Sequence, residues 1–541
     1  MIKIGPVSLE KFLGRSSELK RLGKIESDYI KGYRRNLAII GDWGIGKTSL
    51  VLKYIHQGVG EELFPIYLNL EEGFLKESFL GFLLFSLRRL AKIEATHFTN
   101  VIDVGKIIES EFPFLGSLVR NIETAQKNGN YEIILKAIFN MPKAIKDNFD
   151  KNCLFVIDEF FGFEKCKVRS WPKVLREHIM LDKHALFVLI SSDTEKSKAM
   201  LNSEFSLLFG NFEIIELNRF SCNESLDFAK KRIGGIKKEE KVLDDLLFLT
   251  HGMPLYLDLL TNWMRDNLSV LDREGLMLTI KENLLDNKGF LYRYFQEKLD
   301  LSPGMERFQE FLPFVMEVAR GNTKKKNLKK KNFSYAEYNY SMNGFLEKNG
   351  SFYRIKDPLF RIWLLYAYKP DLMGLKLGLE DRIDFISEEI EKLNNGFSGF
   401  RIRSLKNSLN AIIEKLFLKF ENEFIELQGR RKLLPKFASI EVKSENEEYL
   451  ILEGSKLKGG KWLIVLFHSK IEEPSVYKLL SSLKEDLNCY SQKVGILISD
   501  IDDNTQSMLK TKGFWIWDSL FVTKLLEFYG TSGIFNAGCM E

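Results

Sequence analysis

The stretch NLAIIGDWGIGKTSLVLKYI (residues 36–55) decides how this chain folds. Residues 37–40 are four apolar side chains bounded by glycine, the mark of a short buried strand. From about Lys47 the apolar residues recur at helical spacing. Between strand and helix, Gly41–Thr48 fits GxxxxGK[ST] in full. Glycines there let the backbone curl until its N–H groups point inward at an anion, and the helix N-terminus adds its dipole. The pattern therefore predicts a phosphate cradle made by Gly41, Gly44, Ile45, Gly46, Lys47, Thr48 and Ser49. Lys47 would reach the β- and γ-phosphates of ATP, and Thr48 would ligate Mg²⁺.

Outward from this cradle, further buried strands are expected in LFPIYLNLE (63–71), CLFVIDEFF (153–161), ALFVLISSD (185–193) and FEIIEL (212–217). Residues 73–147 read as mostly helical, and FLGRSSELKRL (12–22) as a short helix capped at Ser16. Strands alternating with helices predict an α/β domain with a mostly parallel sheet and ligands at its carboxyl edge. Asp158 and Glu159 end the third strand there. Asp158 would join Thr48 around the metal, and Glu159 would orient or deprotonate the attacking water. Ser192, at the end of the fourth strand, would touch the γ-phosphate or that water. Lys47, Asp158, Glu159 and Ser192 are thus the candidate catalytic set.

The 541 residues predict several domains. The boundaries expected are 1–218 for the P-loop core, 219–300 for a helical lid, 301–370, 371–410 for a helical connector, and 411–541 for a second α/β unit. That last unit is expected to open with a helix over 411–428. Hydrophobic residues make up 45% and charged residues 28%, an ordinary globular balance, and the net charge is only +5. No apolar run is long enough to span a bilayer, and the start of the chain lacks a signal-peptide pattern. Five scattered cysteines show no metal or disulfide spacing. A cytoplasmic protein without membrane partners is expected. Lys324, Lys325, Lys326, Lys329, Lys330 and Lys331 place six cations in eight residues, ahead of a helical pattern at 334–348 and a hairpin-like GSFYRIKD.

Taken together, FLGRSSEL (12–19), GDWGIGKTSL, FVIDEF, LFVLISSD, HGMPLYL (251–257) and YRIKDPLFRIWL (353–364) resemble the archaeal-type ATPase family of the AAA+/STAND group. The resemblance covers roughly residues 10–370. It implies an ATPase core, a helical lid and a winged helix, with Gly14 and Arg15 close to the adenine and Pro254 opening a lid helix near the nucleotide. In this frame residues 334–348 would be a recognition helix, GSFYRIKD its wing, and the lysine run a DNA contact. The motif Asp357–Arg361 points to members with a C-terminal nuclease-like extension. Where the family usually carries an arginine after a glycine near 210, this chain has Asn211, which favours slow turnover. Residues 411–530 resemble the restriction-endonuclease-like fold with a damaged site. Glu453 would stand for its first acid and His468-Ser469-Lys470 for its E/QxK, while a literal ExK lies earlier, at Glu441-Val442-Lys443. A degenerate binding module is expected there, and an Mg²⁺-dependent nuclease is the alternative. The function expected is an ATP-driven switch or ATPase acting on DNA. The alternative is a signalling scaffold that works on protein partners or by self-assembly.

Overall fold

The computed structural model describes residues 11–71, 76–92, 104–165, 170–203, 212–300, 305–324, 346–368, 378, 380–388, 405–427, 430–468, 473–483, 487–497 and 503–529. Residues 4–219 form one compact unit and residues 220–541 another.

The first unit begins with helix α1 (Ser16–Ile30), longer than the sequence suggested. Its cap is Arg15 in the left-handed region (φ 61), and no side chain caps the helix. Five parallel strands follow: β1 (Asn36–Ile40), β2 (Leu63–Asn69), β3 (Asn152–Asp158), β4 (Ala185–Ser191) and β5 (Phe212–Glu216), in the order β2-β3-β4-β1-β5. Strands β1 and β4 are buried along their whole length, which is why both read as unbroken apolar runs. Helix α2 (Lys47–Gln57) leaves the loop after β1. Helices α3 to α7, within residues 76–149, intervene between β2 and β3. On one face of the sheet Ile66, Phe155 and Phe187 share a core with Leu83, Val119 and Ile138. Burial of large aliphatic and aromatic side chains contributes about 1.5–3 kcal/mol each, and here it holds the helices against the sheet. The result is the α/β parallel sheet of a P-loop NTPase.

The second unit opens with helices α8 (Cys222–Ile233), α9 (Glu240–Thr250) and α10 (Pro254–Asn267). A capping box starts α8: the Ser221 hydroxyl accepts from Glu224 N at 3.3 Å, and Glu224 accepts from Ser221 N at 2.8 Å. Further along come α11 (Phe290–Asp300), α12 (Met305–Ala319), the antiparallel hairpin β6 (Leu346–Asn349) with β7 (Phe352–Ile355), and α13 (Pro358–Trp363). The hairpin begins before GSFYRIKD, so residues 346–348 are strand where a helix was expected; 334–345 lie outside the described residues.

Helix α14 (Leu405–Leu418) ends ten residues earlier than expected. Residues 423–434 instead form a second hairpin, β8 (Glu423–Leu427) with β9 (Arg430–Leu434). A five-stranded sheet then runs β10 (Phe437–Glu445), β11 (Tyr449–Lys456), β12 (Lys461–Phe467), β13 (Tyr490–Leu497) and β14 (Phe514–Trp517) in sequential order. Its first three strands are antiparallel and its last three parallel. Helices Glu473–Ser482, Asp503–Thr511 and Ser519–Phe528 complete it. Among the described residues no helix is long and apolar enough to cross a membrane.

Candidate nucleotide site

The P-loop leaves the carboxyl end of β1, which lies between β4 and β5, the edge at which open α/β sheets bind ligands. Gly44 (φ 81) and Gly46 (φ 94) take the left-handed conformation that curls the loop. Gly41 is needed for another reason: a Cβ there would lie 2.6 Å from the Leu217 carbonyl oxygen. Lys47 follows, at the first turn of α2, and is only 5% exposed. Its ammonium donates to the carbonyls of Gly41 (2.9 Å) and Asp42 (3.0 Å) and to Ser192 Oγ (2.9 Å). Burial pulls the Lys47 pKa down, and the carboxylates of Glu159, Asp158, Asp42 and Glu71 oppose that pull.

Thr48 Oγ1 donates to Asp158 Oδ2 at 2.6 Å, and Tyr67 Oη donates to the same oxygen at 2.7 Å. Asp158 is 1% exposed, and its other oxygen, Oδ1, is buried without a hydrogen-bond donor. Burial raises the Asp158 pKa, opposed by the hydrogen bonds from Thr48 and Tyr67 and by Lys47. A buried carboxylate with an idle oxygen beside a threonine hydroxyl fits a hard divalent cation, which takes oxygen ligands. Glu159 has φ 48 and turns the chain sharply after β3. Its carboxylate accepts from Ser192 N at 3.1 Å and from the Ser192 hydroxyl. Its pKa too is raised by burial, against the pull of Lys47. Ser192 thus links Lys47 to Glu159, whose Oε1 lies 4.0 Å from the ammonium. The structure brings Lys47, Thr48, Asp158, Glu159 and Ser192 together from three strand ends. Tyr67 was missed. It stands on β2 beside the acidic strand, and no motif marks it.

Arg15 is buried, and its guanidinium donates to the carbonyls of Ile45 (3.3 Å) and Asn218 (2.5 Å) and pairs with Glu18 at 3.1 Å. It braces the back of the P-loop. Asn211 lies outside the described residues. Pro254 occupies the first position of α10, and Gly252 before it is irreplaceable sterically: a Cβ there would lie 2.3 Å from the Phe220 carbonyl oxygen. Two motifs of the family resemblance meet within the second unit. Asp357 caps α13, accepting from Phe360 N at 3.1 Å, and also accepts from the Tyr256 hydroxyl of α10. Arg361 Nε donates to the Ala319 carbonyl at 2.6 Å.

Of the lysine run only Lys324 is described; Lys325, Lys326, Lys329, Lys330 and Lys331 lie outside the described residues. Lys324 sits in an acidic and aromatic nest: Glu423 Oε1 at 2.9 Å, Glu421 Oε2 at 3.3 Å, and the Tyr529 ring centroid at 4.9 Å. Its charge is compensated inside the chain. The tip of the β6–β7 hairpin is engaged as well. Ser351 N donates to the Phe424 carbonyl at 2.8 Å, and Glu426 N donates to Asn349 Oδ1 at 2.7 Å.

The nuclease-like pattern does not assemble as expected. Glu453 pairs across β11–β12 with Leu463, whereas His468 follows Phe467, which pairs with Tyr449. Five residues at about 3.3 Å each separate Leu463 from His468 along the strand, roughly 17 Å. Ser469 and Lys470 lie outside the described residues. The literal ExK comes closer: Glu441 pairs with Glu453, and Lys443 Nζ lies 3.4 Å from Glu453 Oε1. Lys461 at 2.7 Å and Tyr490 at 3.0 Å complete the partners of Glu453. Among the described residues no three His, Cys, Asp or Glu side chains are arranged to hold a metal.

No protein-family model and no curated protein sequence matches the chain. Solved structures do resemble it. A Walker-type ATPase of Pyrococcus abyssi is 13% identical, with 67% of this chain and 99% of that one covered and a TM-score of 0.46. The ORC2 protein of Aeropyrum pernix is 13% identical over 70% of this chain and 95% of its own, with a TM-score of 0.41. The RuvB Holliday junction branch migration motor of Thermotoga maritima is 14% identical over 69% and 99%, with a TM-score of 0.33. Likeness at this level is silent on function, and the P-loop fold rests on the strand order and loop geometry themselves.

Proposed function

We propose that this chain is an ATP-binding ATPase of the AAA+/STAND kind that works as a slow nucleotide switch and couples ATP binding to contact with DNA. The observation that carries the nucleotide reading is the convergence of Lys47, Thr48, Asp158, Glu159 and Ser192 beside the P-loop. P-loop N–H groups and Lys47 would bind the β- and γ-phosphates. Thr48 and Asp158 would hold Mg²⁺, which neutralises phosphate charge when bound. Glu159, steered by Ser192, would take a proton from the attacking water. Its raised pKa makes it a stronger base than a solvated carboxylate. The absence of arginine at Asn211 is consistent with slow turnover, since such a residue is worth several orders of magnitude in rate.

Nucleotide titration and phosphate release test this reading with two variants. Lys47→Ala is expected to lose ATP binding. Glu159→Gln is expected to keep binding while hydrolysis falls about 100-fold or more. ATP binding unchanged in Lys47→Ala would sink it. Duplex DNA binding at low salt, compared with and without ATP, tests the coupling. A second reading, a switch that works on protein partners, is favoured by the engaged hairpin tip at Asn349–Ser351. It predicts nucleotide-dependent assembly with no DNA binding.

A further inference from the structure

We infer that the DNA-contacting surface is the amino-terminal edge of the C-terminal sheet, a row of lysines distinct from the Lys324–Lys331 run; this rests on the DNA reading above. Each of the sheet's consecutive ends contributes. Lys436 enters β10, and its carbonyl accepts from Leu457 N in the β11–β12 turn at 3.2 Å. Lys458 projects from that turn, where Gly459 and Gly460 both have positive φ and hold it tight. Lys461 starts β12 opposite Tyr490 at the start of β13. Lys493, on β13, donates to the Lys512 carbonyl at 2.9 Å, just before β14. Lys443, set back from the edge along β10, extends toward it as far as Glu453, 3.4 Å away. Lys436, Lys443, Lys458, Lys461 and Lys512 are exposed.

Cations outnumber acids at this edge, and most of its described acids are already paired: Glu453 is held by Lys443 and Lys461, and Glu421 and Glu423, beside Lys436 through Asn422, are held by Lys324, which leaves Glu441. Five strands about 4.8 Å apart span roughly 19 Å. A nucleic-acid strand rises 3.4 Å per nucleotide, so that edge faces about six phosphates of one strand. Lysines are mobile point charges suited to phosphate oxygens and blind to base edges. Binding would therefore be indifferent to sequence and steeply dependent on salt. A linear row of cations matches a linear polyanion better than a membrane plane. The one large apolar side chain exposed on the turn is Leu457.

The test is anisotropy titration of the full chain against a 20-base-pair duplex over a range of salt. The variant is K436E/K458E/K512E, which avoids the Glu453 cluster and the nucleotide site. Wild-type affinity is expected to fall with salt. The variant is expected to bind at least 10-fold more weakly at low salt, with a logarithmic salt slope smaller by about 3, since each lost phosphate contact removes about 0.9. Nucleotide binding unchanged in the variant confirms that the chain is folded. Neutralising the Lys324–Lys331 run serves as the comparison. Equal affinity and slope for wild type and K436E/K458E/K512E would overturn this inference while leaving the DNA reading intact. No binding of wild type at low salt would overturn both. Loss of binding only in the Lys324–Lys331 variant, or wild-type binding to phosphatidylserine vesicles in preference to duplex, would also overturn it.

Discussion

Burial pushes the carboxyl groups of Asp158 and Glu159 up and the ammonium of Lys47 down, so all three charges are held against their solvation. The folded-state pKa of Asp158 is raised. Its contribution to stability is therefore present below its ordinary value and lost as pH rises through the raised one. Asn cannot titrate but can still accept from Thr48 and Tyr67. Asp158→Asn is thus expected to be more stable than the nucleotide-free wild type near neutral pH, by about 1–3 kcal/mol. Paired thermal melts should show that advantage shrinking as pH falls toward 4. The same variant should lose the extra stabilisation that Mg²⁺ adds to ATP. Gly41→Ala tests sterics at the same site. Its Cβ would press on the Leu217 carbonyl, and a loss of about 1–3 kcal/mol is expected by denaturant unfolding, with weaker nucleotide binding.

At the scale of elements, the parallel strands were legible because burial on both faces leaves an unbroken apolar run, as in residues 37–40 and 154–157. The P-loop and its acidic strand were legible because phosphate chemistry restricts the residues allowed. Strand β8 was not legible. Its inward positions are Glu423, Ile425 and Leu427, and Phe424 faces outward. A buried glutamate breaks the alternation, and it is stabilised by distant partners, Lys324 and the Tyr529 hydroxyl at 2.9 Å. Nothing within five residues of Glu423 announces them. The hairpin β6–β7 posed a similar problem. Phe352 is fully buried, stacks on Phe528 at 5.1 Å, and belongs to the C-terminal core and not to the neighbouring helices. Tyr353 on the same strand packs on Phe314 and Val318, so a fragment of residues 305–541 is expected to fold, whereas 371–541 should expose Phe528 and Tyr529 and aggregate. Phe352→Ala should cost about 3–5 kcal/mol, read as earlier melting of the C-terminal domain. Should 371–541 prove as stable as the longer fragment, the hairpin would be a free appendage.

For the whole molecule, the two compact units predict two calorimetric transitions instead of one. ATP with Mg²⁺ at 100 times its dissociation constant should add about 2.7 kcal/mol to the unit that carries Lys47, raising one transition. Merging into a single transition that moves as one would contradict independent units. The burial of Phe352 by Phe528 also has a consequence during synthesis. Roughly 170 residues separate the hairpin from the helix that covers it, and translation proceeds at about 5–20 residues per second. For some 10–35 s the nascent hairpin carries an uncovered aromatic face. That interval is a window for chaperones, and a premature stop codon anywhere before Phe528 would make it permanent.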